Sequence, residues 1–257
     1  NPSIALSVFA CKGFLAIVCW ILGYPDRARR QCESMADLVQ RSLPTSAYWC
    51  GVEHLVTVRC DFLRDLEGMR SLEQEALQRS TQGGFGWGIA FATMRLASIM
   101  AAEGAYDAGL EKLSQALAYP EADLDRYYTY WLAAQTYLKA GHFPEGRTNL
   151  ENAIADIAAG GSRRYEAELY RLKGECALIA GEGLEAQSAF NSAIAIARRQ
   201  QAKSYELRAT MSLARLMRDT NRRGEARAML TDIYNWFTEG FDTADLKDAK
   251  ALLDELA

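Results

Sequence analysis

Proline is scarce in this chain, with five among 257 residues, and histidine scarcer, with two. Few prolines leave few forced breaks in a helix. The histidines, His54 and His142, stand far apart and have no HExxH partner, so no zinc-protease site can be argued. Six cysteines occur, at 11, 19, 32, 50, 60 and 176, and no two have CxxC spacing. Most fall inside apolar helical patterns, which favours buried free thiols over disulfides or a zinc knot. His54 lies near Cys50 and Cys60 on a helical pattern. Ordinary packing is the default reading there, and His142 falls at a turn, where a solvated side chain is expected. The phosphate-cradling GxxxxGK[ST] is absent. The single glycine-rich run, GGFGWG at 83–88, follows QRSTQ instead of a strand and reads as a connection between helices. No cofactor and no metal is expected.

An excess of positive charge is also missing. The net charge is −4, so Arg163-Arg164 and Arg222-Arg223 read as solvated faces and no nucleic-acid footprint is expected. One stretch, SIALSVFACKGFLAIVCWILGY at 3–24, carries only Lys12 as a charge. It lacks a basic leader region and a cleavage site, and Pro25-Asp26 then opens a charged helical pattern. A helix buried on most sides is expected there, against chain upstream of it, and not a membrane span.

What is abundant is helix-forming sequence that repeats. The chain is 49% hydrophobic and 24% charged, with no alternating strand pattern. The turns LGYPDRA, EGAYDAG, AGHFPEG, AGEGLEA and TNRRGEA align on Gly23, Gly104, Gly141, Gly181 and Asn221. The last four are spaced by about 40 residues and the first gap is about double, so a degenerate copy is expected near Arg64-Asp65 in FLRDLEGM. Small residues precede each turn by two helical turns: Ala16, Ala97, Ala134, Gly174 and Ala214. Small residues also follow it: Ala28, Gly109, Gly146, Ala186 and Ala226. One turn later come Cys32, Leu113, Leu150, Phe190 and Leu230 as core fillers. Small side chains let two helices approach, and Gly or Asn at the turn accepts a left-handed backbone.

This pattern describes stacked helix–turn–helix units of the tetratricopeptide-like kind. The expectation is an all-α fold, a right-handed α-solenoid of about six pairs plus a capping helix, in one domain spanning 1–257. The repeats fall at about 1–43, 44–82, 83–120, 121–160, 161–201 and 202–240, with the cap at 242–256. Asp242 is expected as the cap's N-cap, Asp245 at N3, and Phe241 as a staple onto Leu246. Leu246, Ala249, Leu252, Leu253 and Leu256 share one face of that helix, and Tyr234, Trp236 and Phe237 are expected to pack between it and the last repeat.

The segments LGYPDRA at 22–28, YEAELYRLKGECAL at 165–178 and AIAIARRQQAKSYELRATMSLARLMRDTNRRGEARAMLTDIYNWFTEGFDTADLKDAKALLDEL at 193–256 carry a resemblance. They resemble the C-terminal tetratricopeptide-like repeat region of bacterial multidomain proteins that join a class III adenylate or guanylate cyclase domain to a P-loop ATPase module. The same repeats occur in related predicted ATPases and in large transcriptional regulators. The resemblance implies a cytoplasmic signalling context and a role in regulating a cyclase or ATPase effector. It covers nearly the whole chain and is strongest from about 165 onward.

Chemistry is hard to place in these residues. Glu166 and Glu168 fit a solvated face better than acid–base work, which needs an enclosed site. A groove is better supported. The first helices of the pairs begin with Tyr48-Trp49, Trp87, Tyr127-Tyr128, Tyr130-Trp131, Tyr165 and Tyr205. Arg126, Arg163, Arg164, Arg171, Lys203 and Arg208 stand among or near them. Aromatic rings with arginine suit a peptide, an acidic segment or a planar ligand. The groove set is Trp87, Tyr127, Trp131, Tyr165, Arg164, Arg171, Tyr205 and Arg208. The alternative, that these rings pack between neighbouring helices, stays open. The expected role is a noncatalytic protein-interaction and regulatory domain that binds a protein segment or other domains of its own polypeptide. Neither nucleic acid nor membrane is expected as a partner. Homodimerisation, where it occurs, would run through the apolar first helix at Phe14, Ile17 and Ile21. A small-molecule-sensing repeat domain is the second reading.

Overall fold

The computed structural model describes residues 2–40, 52, 58 and 63–257; the expectations for Tyr48, Trp49, Cys50, His54 and Cys60 lie outside the described residues. Among the described residues there are twelve α-helices and no strand. In order they are α1 (Pro2–Ile21), α2 (Pro25–Gln40), α3 (Leu66–Gly83), α4 (Gly86–Ala102), α5 (Tyr106–Leu117), α6 (Arg126–Lys139), α7 (Phe143–Ala158), α8 (Glu166–Ile179), α9 (Gly183–Gln200), α10 (Lys203–Asp219), α11 (Arg223–Tyr234) and α12 (Ala244–Glu255). A 3-10 helix, Pro120–Asp125, leads into α6. Consecutive helices pack as pairs, α4 with α5, α6 with α7, α8 with α9 and α10 with α11, and the architecture is an α-solenoid.

The pairs form because each turn repeats one backbone solution. Gly23, Gly104, Gly141 and Gly181 take φ between +78° and +93°, and Asn221 takes +60°. The residue after each turn donates its N–H five residues back: Tyr24 to Cys19, Ala105 to Met100, His142 to Tyr137, Glu182 to Ala177 and Arg222 to Met217, all at 2.8–2.9 Å. That bond closes a helix C-terminus whose carbonyls would otherwise lack partners. The degenerate copy shares the left-handed residue without a glycine, since Arg64 stands at φ +55°. Across each turn the small residues meet. Ala16, Ala97, Ala134, Ala28, Ala186 and Ala226 are inaccessible, and a Cβ on Gly146 would lie 2.5 Å from Leu138 Cδ2. Leu113, Leu150, Phe190 and Leu230 fill the space so opened; burial of each stabilises by roughly 1.5–3 kcal/mol.

The chain forms two compact units. Unit 1 comprises Asn1–Leu15 and Gln31–Ser162; unit 2 comprises Ala16–Arg30 and Arg163–Ala257. In unit 1, Met69, Leu96 and Ile99 form a core cluster flanked by Leu66 and Leu77. In unit 2 the core runs from Phe190 through Leu207, Leu213 and Leu230 to Leu246 and Leu252 of α12, which covers the last pair.

The expected start of the cap helix needs correction. The cap helix begins at Ala244, with Thr243 as its extended N-cap, so Asp245 falls at the second helical position. Asp242 is diverted to Arg29, and Phe241, half exposed, sits edge-on to Tyr234 at 5.9 Å. The first helix turns one face inward within this chain. Ala16, Ile17 and Trp20 point inward, but Val8, Phe14, Leu15 and Val18 are exposed. No described helix is long and apolar enough to cross a membrane.

Candidate functional site

The eight groove residues divide between the units. Trp87, Tyr127 and Trp131 belong to unit 1, and the other five to unit 2.

In unit 1, Trp87 enters α4 partly exposed and opens a run of rings leading inward. It lies 4.7 Å from Phe91; Phe91 stacks on Tyr128 at 5.9 Å, and Tyr128 on Trp131 at 5.4 Å. Tyr127 and Trp131 are buried. Next to these rings is a buried ion pair. The Arg95 Nη1–H group donates to Glu73 Oε1 at 3.2 Å, and the Nε–H donates to the Tyr128 hydroxyl at 3.1 Å. Burial pushes the Glu73 carboxyl up to about 7, while the charge and hydrogen bond of Arg95 pull the other way. The group ties α3, α4 and α6 together.

In unit 2, Tyr165 and Tyr205 are buried with ring centroids 6.5 Å apart. Arg164 lies over the Tyr165 ring at 4.9 Å. Arg171 donates to both oxygens of Glu168 at 2.9 and 2.7 Å and to Glu175 at 3.1 Å, beside Ser212. Burial alone would lower its pKa, but Glu168, Glu175 and Asp245 raise it, so the guanidinium stays charged. Arg208 donates to Asp245 at 2.8 Å. The carboxylates are not on a solvated face. Glu166, Glu168 and Glu206 are buried, held by Arg163, Arg171, and Arg198 with Lys203. Arg163, Arg171 and Lys203 each clamp a carboxylate three residues along the chain, and Arg198 of α9 reaches Glu206 of α10. His142 sits at its turn, about half exposed, beside Glu145.

Sequence reasoning missed the occupant of this surface. Residues 16–30, the turn end of α1 and α2, lie against the start of α10 and the loop at 236–242. The Ser204 hydroxyl donates to the Trp20 carbonyl at 2.5 Å. The Trp20 indole meets Tyr205 edge-on at 5.3 Å, with the Arg208 guanidinium 4.7 Å over its face. Tyr24 packs on Trp236 at 5.8 Å. The Gly240 N–H donates to Asp26 and the Arg27 N–H to Glu239, both at 3.0 Å. Arg29 grips Asp242 with two hydrogen bonds of 3.0 and 3.2 Å. Close approach requires the glycines. A Cβ on Gly23 would lie 2.5 Å from the Trp236 ring, and one on Gly240 would run into Pro25. The aromatic end of the chain therefore closes unit 2 twice, through α12 and through this turn. The one sequence signal for it was the pair of glycines inside aromatic turns, LGYPD and WFTEGFD.

Among the described residues no group of His, Cys, Asp or Glu has the arrangement to hold a metal ion. No family model matches the chain. No curated protein matches it either. Among solved structures it is similar to the crystal structure of nearly identical TPR-like repeats from a Podosopora anserina kinesin light chain. Identity is 19%, the TM-score is 0.46, and the match covers 82% of this chain and 94% of that one. The fold assignment above rests on the helix pairs and their turns.

Proposed function

We propose that this chain is a noncatalytic repeat domain that binds a protein segment along the first helices of its pairs. The observation that supports this reading is the seat in unit 2. There, α10 and the 236–242 loop already hold a stretch of polypeptide 184 to 214 residues distant in sequence. The holding groups are those a peptide reader uses: a hydroxyl on a carbonyl, a carboxylate on an amide, an amide on a carboxylate, and rings and a guanidinium around an indole. Trp87, Arg164, Arg171 and Arg208 are the partly exposed members of the groove set. In this reading Arg164, Arg171 and Arg208, with Tyr205, meet the partner in unit 2, and Trp87 does so separately in unit 1, while Tyr127, Trp131 and Tyr165 hold the helices that present them.

The resemblance to cyclase-associated repeats adds the finer part. The domain works in the cytoplasm as a regulatory element, and its occupancy alters a cyclase or ATPase effector in the same polypeptide. The test is adenylate and guanylate cyclase activity of the parent polypeptide, intact and with residues 1–257 removed, then with the domain added in trans. Activity that changes on removal and returns on addition is the expected result. Unchanged activity, with both proteins folded, would refute the regulatory role.

A further inference from the structure

We infer that the surface made by Ser204, Tyr205, Arg208, Trp236 and the 239–242 turn is a binding site for an aromatic-and-acidic turn segment, and that the chain's own residues 16–30 occupy it in cis. This rests on the segment-binding reading above and names the site, its ligand chemistry and its resident competitor.

The occupant reads as a ligand for physical reasons. Its contacts span separations of 184 to 214 residues, so no short loop dictates them. Two are directed at its main chain: Ser204 takes the Trp20 carbonyl and Glu239 takes the Arg27 amide. Such bonds accept any segment that presents the same backbone. Side chains then set the preference. An indole fits between Tyr205 and Arg208, a second ring fits on Trp236, and a carboxylate at the Asp26 position meets the Gly240 amide. Glycine at position 23 is what lets the backbone touch Trp236. The partner is therefore a protein segment with an aromatic residue followed by a glycine–aromatic–proline–acidic turn.

The seat is also built to release. Its rim is held by pairs with one exposed partner each, Arg29 with the exposed Asp242 and the exposed Arg27 with Glu239. Such partly exposed pairs are weak and screened by salt. Trp236, at the centre, keeps 37% of its surface open, unlike the fully buried fillers inside the helix pairs. A partner that takes this surface must displace residues 16–30, so binding in trans and docking in cis exclude one another.

The test uses the full chain and a fluorescein-labelled peptide of residues 16–30 as the probe. Arg29→Glu and Gly23→Val each damage the occupant and leave the receiving surface intact. Either is expected to speed amide exchange across 20–30 while α9 stays protected. Either is also expected to raise peptide affinity at least about tenfold over the parent chain, a shift of 1.4 kcal/mol. Arg29→Glu combined with Asp242→Arg is expected to restore protection across 20–30. Faster exchange without tighter peptide binding would overturn the inference, because the vacated surface would then bind nothing. Unchanged exchange at 20–30 in both single variants would also overturn it and make the closure a fixed part of the fold. Effector regulation by the whole domain would survive either failure, since the cyclase assay does not depend on this seat.

Discussion

Gly174 of α8 faces the ring of Phe190, and a Cβ there would run into that ring. Gly183, at the start of α9, has nothing within 4 Å of its Cβ position. Gly174→Ala should therefore cost about 1–3 kcal/mol by overpacking. Gly183→Ala should be neutral or gain up to about 1 kcal/mol. Urea midpoints of the two variants check the pair. At Glu73 the governing effect is burial. Its raised pKa means the folded chain holds that proton more tightly than the unfolded one. The contribution of Glu73 is thus fully present below its ordinary pKa near 4.5 and is lost as pH rises through about 7. The stability of the parent chain relative to Glu73→Gln should fall by up to about 3 kcal/mol between pH 4.5 and pH 8. Equal slopes for the two chains would contradict the assignment. The aromatic residues were visible in the sequence, but their burial was not. A ring at a helix start beside an arginine has the same spacing whether it lines a groove or packs on the next helix.

The helix pair is the element whose design was plainest in sequence, because every recurring position has a local cause. The turn glycines, the small residues on either side and the larger filler all appear in the structure at the places their spacing implies. Even the turn without glycine was locatable, since the period places it near Arg64-Asp65, and the structure has its left-handed residue at Arg64. There an arginine in the left-handed region carries strain that glycine would not. Arg64→Gly should raise stability by a few tenths to about 1 kcal/mol, read as a shift in urea midpoint. The cap helix shows the limit of local reasoning. Asp242 has the chemistry of an N-cap, yet Arg29 captures it and lowers its pKa through two hydrogen bonds, and Thr243 takes the position instead. Leu252 of α12 is buried in the unit 2 core. Leu252→Ala should cost about 2–5 kcal/mol and loosen α11 and α12 first, seen as faster exchange there than in α9.

At the scale of the whole molecule, the feature that matters most left little trace in the sequence. Residues 16–30 join unit 2 across almost the full length of the chain, and contacts at that separation create no periodicity to read. Their chemistry still constrains behaviour. A seat rimmed by partly exposed ion pairs should loosen with salt, so raising NaCl to about 1 M should speed exchange at 20–30 and leave the buried α9 amides unchanged. The central claim, that the chain carries a segment-binding surface occupied by its own N-terminal turn, is tested most directly at two amides. In the structure the Arg27 N–H donates to Glu239 and the Gly240 N–H to Asp26, across the seat in opposite directions. Hydrogen exchange of these two amides, followed by NMR in the intact chain, should show both protected, with protection lost together in Arg29→Glu. Exchange of both at the rate of a free amide in the parent chain would contradict the account.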